Sequence, residues 1–221
     1  MRRFFRENSL SLVMFGLFFF SLVGQILTGH RDYSQELKDH KQPPIGVVEY
    51  LGSGHFIEAV FENWESEFLQ MGMYVLLTAF LCQKGSPESR KPEGEEAVDA
   101  EPGNQELNPK TPWPVRQGGL SLKVYENSLT LALFLLFFLS FALHAVGGAK
   151  EYSQEQIQHG EKPVSAIEYL GTSRFWFESF QNWQSEFLSI GTLAVLSVFL
   201  RQKGSPESKP VDRPNDETGK D

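Results

Sequence analysis

The chain has 221 residues, 41% of them hydrophobic and 22% charged, with a formal net charge of −8. That acidity argues against a general nucleic-acid surface, and a lone cysteine, Cys82, excludes an internal disulfide framework and a cysteine-based zinc site. The averages describe an ordinary soluble protein, but the apolar residues are gathered in four blocks with the charges crowded between and after them, the distribution of a membrane protein with long polar connections.

Arg2, Arg3 and Arg6 precede an uncharged stretch from Asn8 to Gly29 that includes Phe18-Phe19-Phe20. As helix it covers about 33 Å, enough for a hydrocarbon core. A cleaved signal peptide shares this basic start. No small-x-small cleavage pattern follows, so a retained span is expected. Ser34 then heads a predicted short helix that ends near His40 and stops at Pro43-Pro44. A further helix is predicted from Gly52-Ser53, carrying Phe56, Phe61 and Trp64 at headgroup level into the second apolar run, Phe68 to Gln83. That run is short for a bilayer. Extending it back to Asn63 restores the length and takes Glu67 into its outer part. In Gln83-Lys84-Gly85-Ser86-Pro87-Glu88-Ser89, Lys84 complements a helix C-terminus, Gly85 supplies a left-handed cap and Pro87 prevents continuation. A docking motif is the alternative. Residues 91–121 are rich in Glu, Pro and Gly and read as a flexible connector.

The rest of the chain repeats what came before. Glu7-Asn8-Ser9-Leu10 recurs as Glu126-Asn127-Ser128-Leu129, Tyr33-Ser34-Gln35-Glu36 as Tyr152-Ser153-Gln154-Glu155, and Glu49-Tyr50-Leu51-Gly52 as Glu168-Tyr169-Leu170-Gly171. Asn63-Trp64 and Ser66-Glu67-Phe68-Leu69 recur as Asn182-Trp183 and Ser185-Glu186-Phe187-Leu188, and the Gln83 motif recurs at Gln202 to Ser208. One offset of 119 residues aligns them without gaps, and roughly 40 of 88 positions are identical, too many for shared composition. The expected organisation is a first two-span repeat (1–90), the connector (91–121), a second two-span repeat (122–209) and a disordered tail (210–221). The third span is then Asn127 to Ala149, and the fourth is Phe187 to Leu200 extended back to Asn182.

Basic residues near the span ends set the orientation. Arg2, Arg3 and Arg6, then Lys84, Arg90 and Lys91, then Arg116 and Lys123, and finally Arg201, Lys203 and Lys209 place both termini and the connector on the cytoplasmic side. The repeats then sit the same way up, related by a pseudo-two-fold along the membrane normal.

The best candidate for chemistry is Asn-Trp-x-Ser-Glu-Phe. Asn63 and Glu67, like Asn182 and Glu186, are four apart and share a helix face, with Ser66 and Ser185 beside them. Facing each other across the pseudo-axis, the two glutamates form a cation or proton site. In the plainer reading they are hydrogen-bonded interfacial carboxylates at the head of a span, with Trp64 and Trp183 as interfacial anchors. Gly85, Pro87, Gly204 and Pro206 are the helix stops, and Gly72 and Gly191 open their helices to close packing. His40 and His159 read as histidines bonded to C-terminal carbonyls, and His144 as an interhelical hydrogen-bonding group. There is no nucleophile–base pair, phosphate loop, cofactor fingerprint or metal-ligand spacing.

Asn-Trp-x-Ser-Glu-Phe-Leu, followed after one span by Gln-Lys-Gly-Ser-Pro-Glu-Ser and preceded by Glu-Asn-x-Leu opening a Phe/Leu-rich span, resembles a family of bacterial membrane proteins designated a domain of unknown function. The resemblance covers both repeats and implies a bacterial cytoplasmic-membrane setting, with no activity or ligand.

The expected protein is all-α, with four transmembrane helices as two tandem hairpins and short surface helices in the outer connections. It is not an enzyme and takes no cofactor and no metal. Its expected role is structural or interactive, and a small transporter or channel component using Glu67 and Glu186 is the alternative. Its expected partners are the lipid bilayer, its own second repeat, and a homo-oligomer or an unidentified membrane protein; nucleic acid is not among them.

Overall fold

The protein is described from a computed structural model covering residues 2–86, 88–90, 94 and 111–214. Pro87, most of the expected connector and the end of the tail lie outside the described residues. Nine helices and no strand occur among them: α1 (Arg2–Glu7), α2 (Ser9–Asp39), α3 (Val47–Tyr50), α4 (Gly54–Thr78), α5 (Trp113–Gln117), α6 (Gly119–Glu126), α7 (Ser128–Gln158), α8 (Ala166–Leu170) and α9 (Ser173–Phe199). The protein is all-α. α5 and the start of α6 give helical structure to the described end of the connector.

Two helices, α2 and α7, are long and apolar enough to cross a membrane. Both open one residue after an asparagine that breaks the helix before it. Asn8 sits at φ −119° and donates its side-chain amide to the Phe4 carbonyl at 2.9 Å, and Asn127 sits at φ −105° and donates to the Lys123 carbonyl at 2.8 Å. Each amide thus bonds a carbonyl of the last turn of the preceding helix. None of the most apolar stretch of α2 is buried, against 22% of that of α7.

The far ends close alike. The Gln42 amide donates to the Leu37 carbonyl and Lys41 to Lys38, as Glu161 does to Gln156 and Gly160 to Ile157, the paired bonds of a Schellman stop. Lys41 takes the left-handed position at φ 59°, where its counterpart is Gly160 at φ 79°. His40 and His159 donate Nδ1–H to the Glu36 and Glu155 carbonyls at 3.0 and 2.7 Å, the role expected of them.

Ser34 and Ser153 cap no new helix, because α2 and α7 run through them without interruption. Each lies where the preceding turn already satisfies the backbone. Ser153 Oγ is used sideways instead, accepting from the Val164 amide at 2.9 Å and donating to the Val164 carbonyl at 3.1 Å, which ties the returning chain to α7. The glycines expected as helix stops also act elsewhere. α4 ends at Thr78 and α9 at Phe199, before Gly85 and Gly204, whose positive φ values (87° and 86°) turn a loop beyond the helix. Ser89 Oγ closes that loop on the Gln83 amide and carbonyl at 2.8 and 3.0 Å, and Ser208 Oγ closes the second, which contains Pro206, on Gln202 at 2.9 and 3.3 Å. Arg90 then reaches the Ala79 carbonyl, and the Lys209 amide reaches the Ser197 carbonyl. The end of each loop thus returns to a carbonyl at or just past the helix end, and no glycine caps either helix.

The chain divides into two compact units, each drawing on both halves of the sequence. The first is Met1–Phe61 with Ala142–Phe175, and the second is Glu62–Phe141 with Trp176–Asp221. Within the first unit the opening turns of α4 lie directly on α7. A Cβ added to Gly54 would come 2.5 Å from the Glu151 amide nitrogen and 2.9 Å from the Gly147 carbonyl, and one on Gly147 would come 2.5 Å from the Glu58 amide nitrogen. Within the second unit, Gly72 of α4 faces Leu133 and Phe134 of α7 at ordinary contact, whereas Gly191 faces nothing within 4 Å and opens no close packing.

Replacing Gly147 by alanine forces the α4 backbone outward and is expected to destabilise the protein by about 1–3 kcal/mol. Gly191→Ala meets open space and is expected to be neutral or to gain up to about 1 kcal/mol of helix propensity. Unfolding of the two variants in detergent checks the contrast.

Candidate functional site

The recurrent Asn-Trp-x-Ser-Glu-Phe residues all belong to the second unit. Ser66 and Ser185 donate Oγ–H to the Asn63 and Asn182 carbonyls three residues back, both at 2.8 Å, so the hydroxyls serve their own helix. Asn63 and Glu67 are exposed, and Asn182 and Glu186 are half-buried. The Glu186 charge acts on the Glu67 carboxyl. Gln70 donates to the Glu186 carbonyl at 3.4 Å. The acid this unit buries completely is Glu65, the variable position of the motif, which accepts the Trp183 indole N–H at 3.0 Å. The polar edge of Trp183 is thus committed to a buried carboxylate. Trp64 is half-buried.

The first unit holds a denser polar cluster. Two tyrosines at matching positions, Tyr50 and Tyr169, are 1% and 0% exposed. Each ring lies against a glycine of the long helix in its own half: a Cβ on Gly29 would overlap the Tyr50 hydroxyl, and one on Gly148 would overlap the Tyr169 ring. Their hydroxyls then diverge. Tyr50 meets His55 Nδ1 at 3.2 Å, whereas Tyr169 donates across to Glu58 Oε1 at 3.1 Å. Tyr33 likewise crosses to donate to Gln154 Oε1 at 2.8 Å. A carboxylate oxygen of Glu58 and a ring nitrogen of His144 approach within 4.8 Å, and both residues are buried. Phe175 stacks on the His144 imidazole, with centroids 4.7 Å apart. Such a pair can share a proton or ligate a metal ion. In the same unit, Ser53, Gly54, Lys150, Ser153, Gln154 and Val164 line much of an open cleft of about 430 Å³.

The sequence reading of His144 as an interhelical polar group agrees with this placement. Glu58 was missed because its counterpart is Phe177, so no recurrence marks it. The S-x-x-E signature of Ser165 and Glu168 was legible and passed over. Ser165 and Glu168 form a reciprocal capping box on α8, and accepting from the Ser165 amide and hydroxyl holds the Glu168 carboxyl below its ordinary range.

Glu151 lies two residues past the uncharged stretch of α7 and is 7% exposed. Its carboxylate accepts the backbone N–H of His55 in the first turn of α4, while Oε2 is buried without a hydrogen-bond partner. Burial first, and the Glu36 charge second, push its carboxyl up to about 7; the His55 amide and Arg174 oppose the shift, and Glu155 adds to it. Burial likewise holds the His55 imidazole below its ordinary range.

The folded state therefore binds a proton that the unfolded state releases between about pH 4.5 and 7. Stability is expected to fall as pH rises through that window, by at most about 1.4 kcal/mol per unit from this group, and to level off above it. Glu151→Gln should remove that slope, and thermal unfolding measured from pH 5 to 8 checks it.

No curated protein and no solved structure matches the chain. A family model described as Domain of unknown function (DUF6766) matches residues 1–220. Because that match spans nearly the whole sequence, the chain belongs to the DUF6766 family, a domain of unknown function.

Proposed function

We propose that the protein is a four-span membrane protein of the bacterial cytoplasmic membrane. In this reading two parallel helical hairpins, α2 with α4 and α7 with α9, are related by a pseudo-two-fold along the membrane normal. Both termini and the connector are cytoplasmic, and the role is structural or interactive rather than enzymatic. The observation that carries the reading is the bare apolar length of α2, where Leu10, Phe15, Phe19, Phe20 and Val23 are each more than half exposed. A helix that is apolar all round with nothing covering it requires an apolar surrounding. The recurrence at 119 residues supports a second hairpin built like the first. From Asn63 and Asn182 onward, α4 and α9 measure about 24 and 27 Å, short of a hydrocarbon core. Phe80, Leu81 and Leu200, all well exposed, continue the apolar surface beyond the helix ends. The amides of Phe80 and Leu81 still reach the Leu77 carbonyl, so this extension keeps its backbone bonded, as lipid demands.

Polar groups of the first unit bond one another across the two halves of the sequence, as Tyr33 does to Gln154 and Tyr169 to Glu58. That is how a scaffold uses polarity. Reporter fusions at both ends and in the 91–110 segment are expected to report the cytoplasm; ends on opposite sides would overturn the four-span reading. Purification from membranes is expected to bring down a second copy or another membrane protein.

One observation favours a second reading, a small transporter or channel component: the Glu186 charge acts on the Glu67 carboxyl. Cation or proton flux in liposomes, abolished by Glu67→Gln with Glu186→Gln, is the result that reading requires. Flux that survives the double change removes these carboxylates from the path.

A further inference from the structure

We propose that the cleft between the start of α4 and the last turns of α7 holds the phosphate of an outer-leaflet phospholipid, with Lys150 as the charge that binds it. The proposal rests on the four-span reading above. The cleft is open, measures about 430 Å³, and is lined by residues of the first unit. Its α7 wall is graded. Val146, Lys150 and Gln154 follow one another at intervals of four on one helix face, and over about 12 Å of rise they pass from apolar to charged to polar. Lys150 is the first charged residue after the uncharged stretch that ends at Ala149. It therefore stands where hydrocarbon gives way to headgroups.

The open polar side chains of the cleft are donors. Its two hydroxyls are spent: Ser53 Oγ donates to the Tyr50 carbonyl and accepts the Phe56 amide, and Ser153 Oγ is bonded both ways to Val164. Gln154 commits Oε1 to the Tyr33 hydroxyl at 2.8 Å, which leaves its amide NH2 as the open end. Lys150 makes no ion pair or hydrogen bond among the described residues. A Cβ on Gly54 would lie 2.9 Å from the Lys150 Cβ, so the lysine stem is rooted against the α4 side of the cleft. A cation and a neutral donor with no open side-chain acceptor select an anion, and lysine binds phosphate as a point charge. The surroundings favour a lipid over a free ion. Val146 on the cleft wall is 42% exposed, and Ile167, next to the wall residue Ala166, is 82% exposed. Apolar side chains beside the phosphate suit acyl chains and give a free ion nothing.

The test titrates the full-length protein in maltoside detergent with phosphatidylglycerol and counts bound lipid by native mass spectrometry. One lipid held more tightly than the rest is expected. Lys150→Gln is expected to weaken it about fivefold, and Ala166→Leu, which narrows the cleft and keeps the charge, is expected to weaken it too. Lys162→Gln removes an exposed charge of the same connection outside the cleft and should leave binding unchanged. An equal loss in Lys150→Gln and Lys162→Gln would reduce the contact to general surface charge and overturn the site. Inorganic phosphate and glycerol phosphate should not compete; displacement of the lipid by either would make the ligand a soluble phosphate and overturn the lipid assignment. Alkaline carbonate extraction of membranes separates this proposal from the reading beneath it. Release of the wild-type protein would overturn the four-span reading, whereas a protein that stays in the membrane and holds no Lys150-dependent lipid overturns this proposal alone.

Discussion

The first turn of α4 lies on the backbone of α7 so closely that neither helix can carry a side chain at the crossing. Gly54 and Gly147 make that approach possible, each standing where a Cβ would press on the other helix's backbone. Much of the rest of the first unit follows from it. Glu151 reaches the His55 amide because Gly54, the residue before His55, is seated against the Glu151 backbone. Glu58 reaches Tyr169 because its own backbone is seated against Gly147. An α4 N-terminus would ordinarily look to its own preceding residues for capping. Here Ser53 Oγ accepts the Phe56 amide, and a carboxylate from a distant segment takes the His55 amide.

The positions 119 residues apart divide by task. Those with identical residues do the same local work in each half: Asn8 and Asn127 break the helix, Tyr50 and Tyr169 lie on Gly29 and Gly148, and Ser89 and Ser208 close the terminal loops. Those with different residues seat α4 on α7 and supply buried acids, whereas the bonds that join the halves also use recurrent residues, as Tyr33 to Gln154 and Trp183 to Glu65 do. Gly54 corresponds to Ser173, Gly147 to Thr28, Glu58 to Phe177 and His144 to Gln25, and each first-named residue is one the crossing or its polar cluster requires. Local rules therefore recur along the chain, while the residues that seat α4 on α7 occur once.

This division also sets what could be read from sequence. Helix starts at Asn8 and Asn127, stops at His40 and His159, the all-α class and the two long apolar helices rest on local spacing and hydrophobicity, and they were legible. Ser34 and Ser153 misled because a serine before Gln-Glu has the form of a cap, whereas an uninterrupted helix around it leaves no amide to cap. Gly85 and Gly204 misled by position: their left-handed backbone was foreseeable, but the helices end several residues sooner. Buried acids were the least legible. Glu58, Glu65 and Glu151 look like any acid on a polar helix turn, and what buries them is a residue far along the chain, Tyr169 or Trp183 or the α4 N-terminus. Recurrence pointed instead to Glu67 and Glu186, one exposed and the other half-buried.

The seating of α4 on α7 is tested most directly at one amide. The first N–H groups of a helix have no partner within it and exchange with solvent quickly unless something outside covers them. Hydrogen exchange at the His55 amide in the intact protein is expected to be slow, and to become fast in Glu151→Ala while the interior of α4 stays protected. Exchange in the wild-type protein as fast as at an open loop amide would contradict the close approach of the two helices.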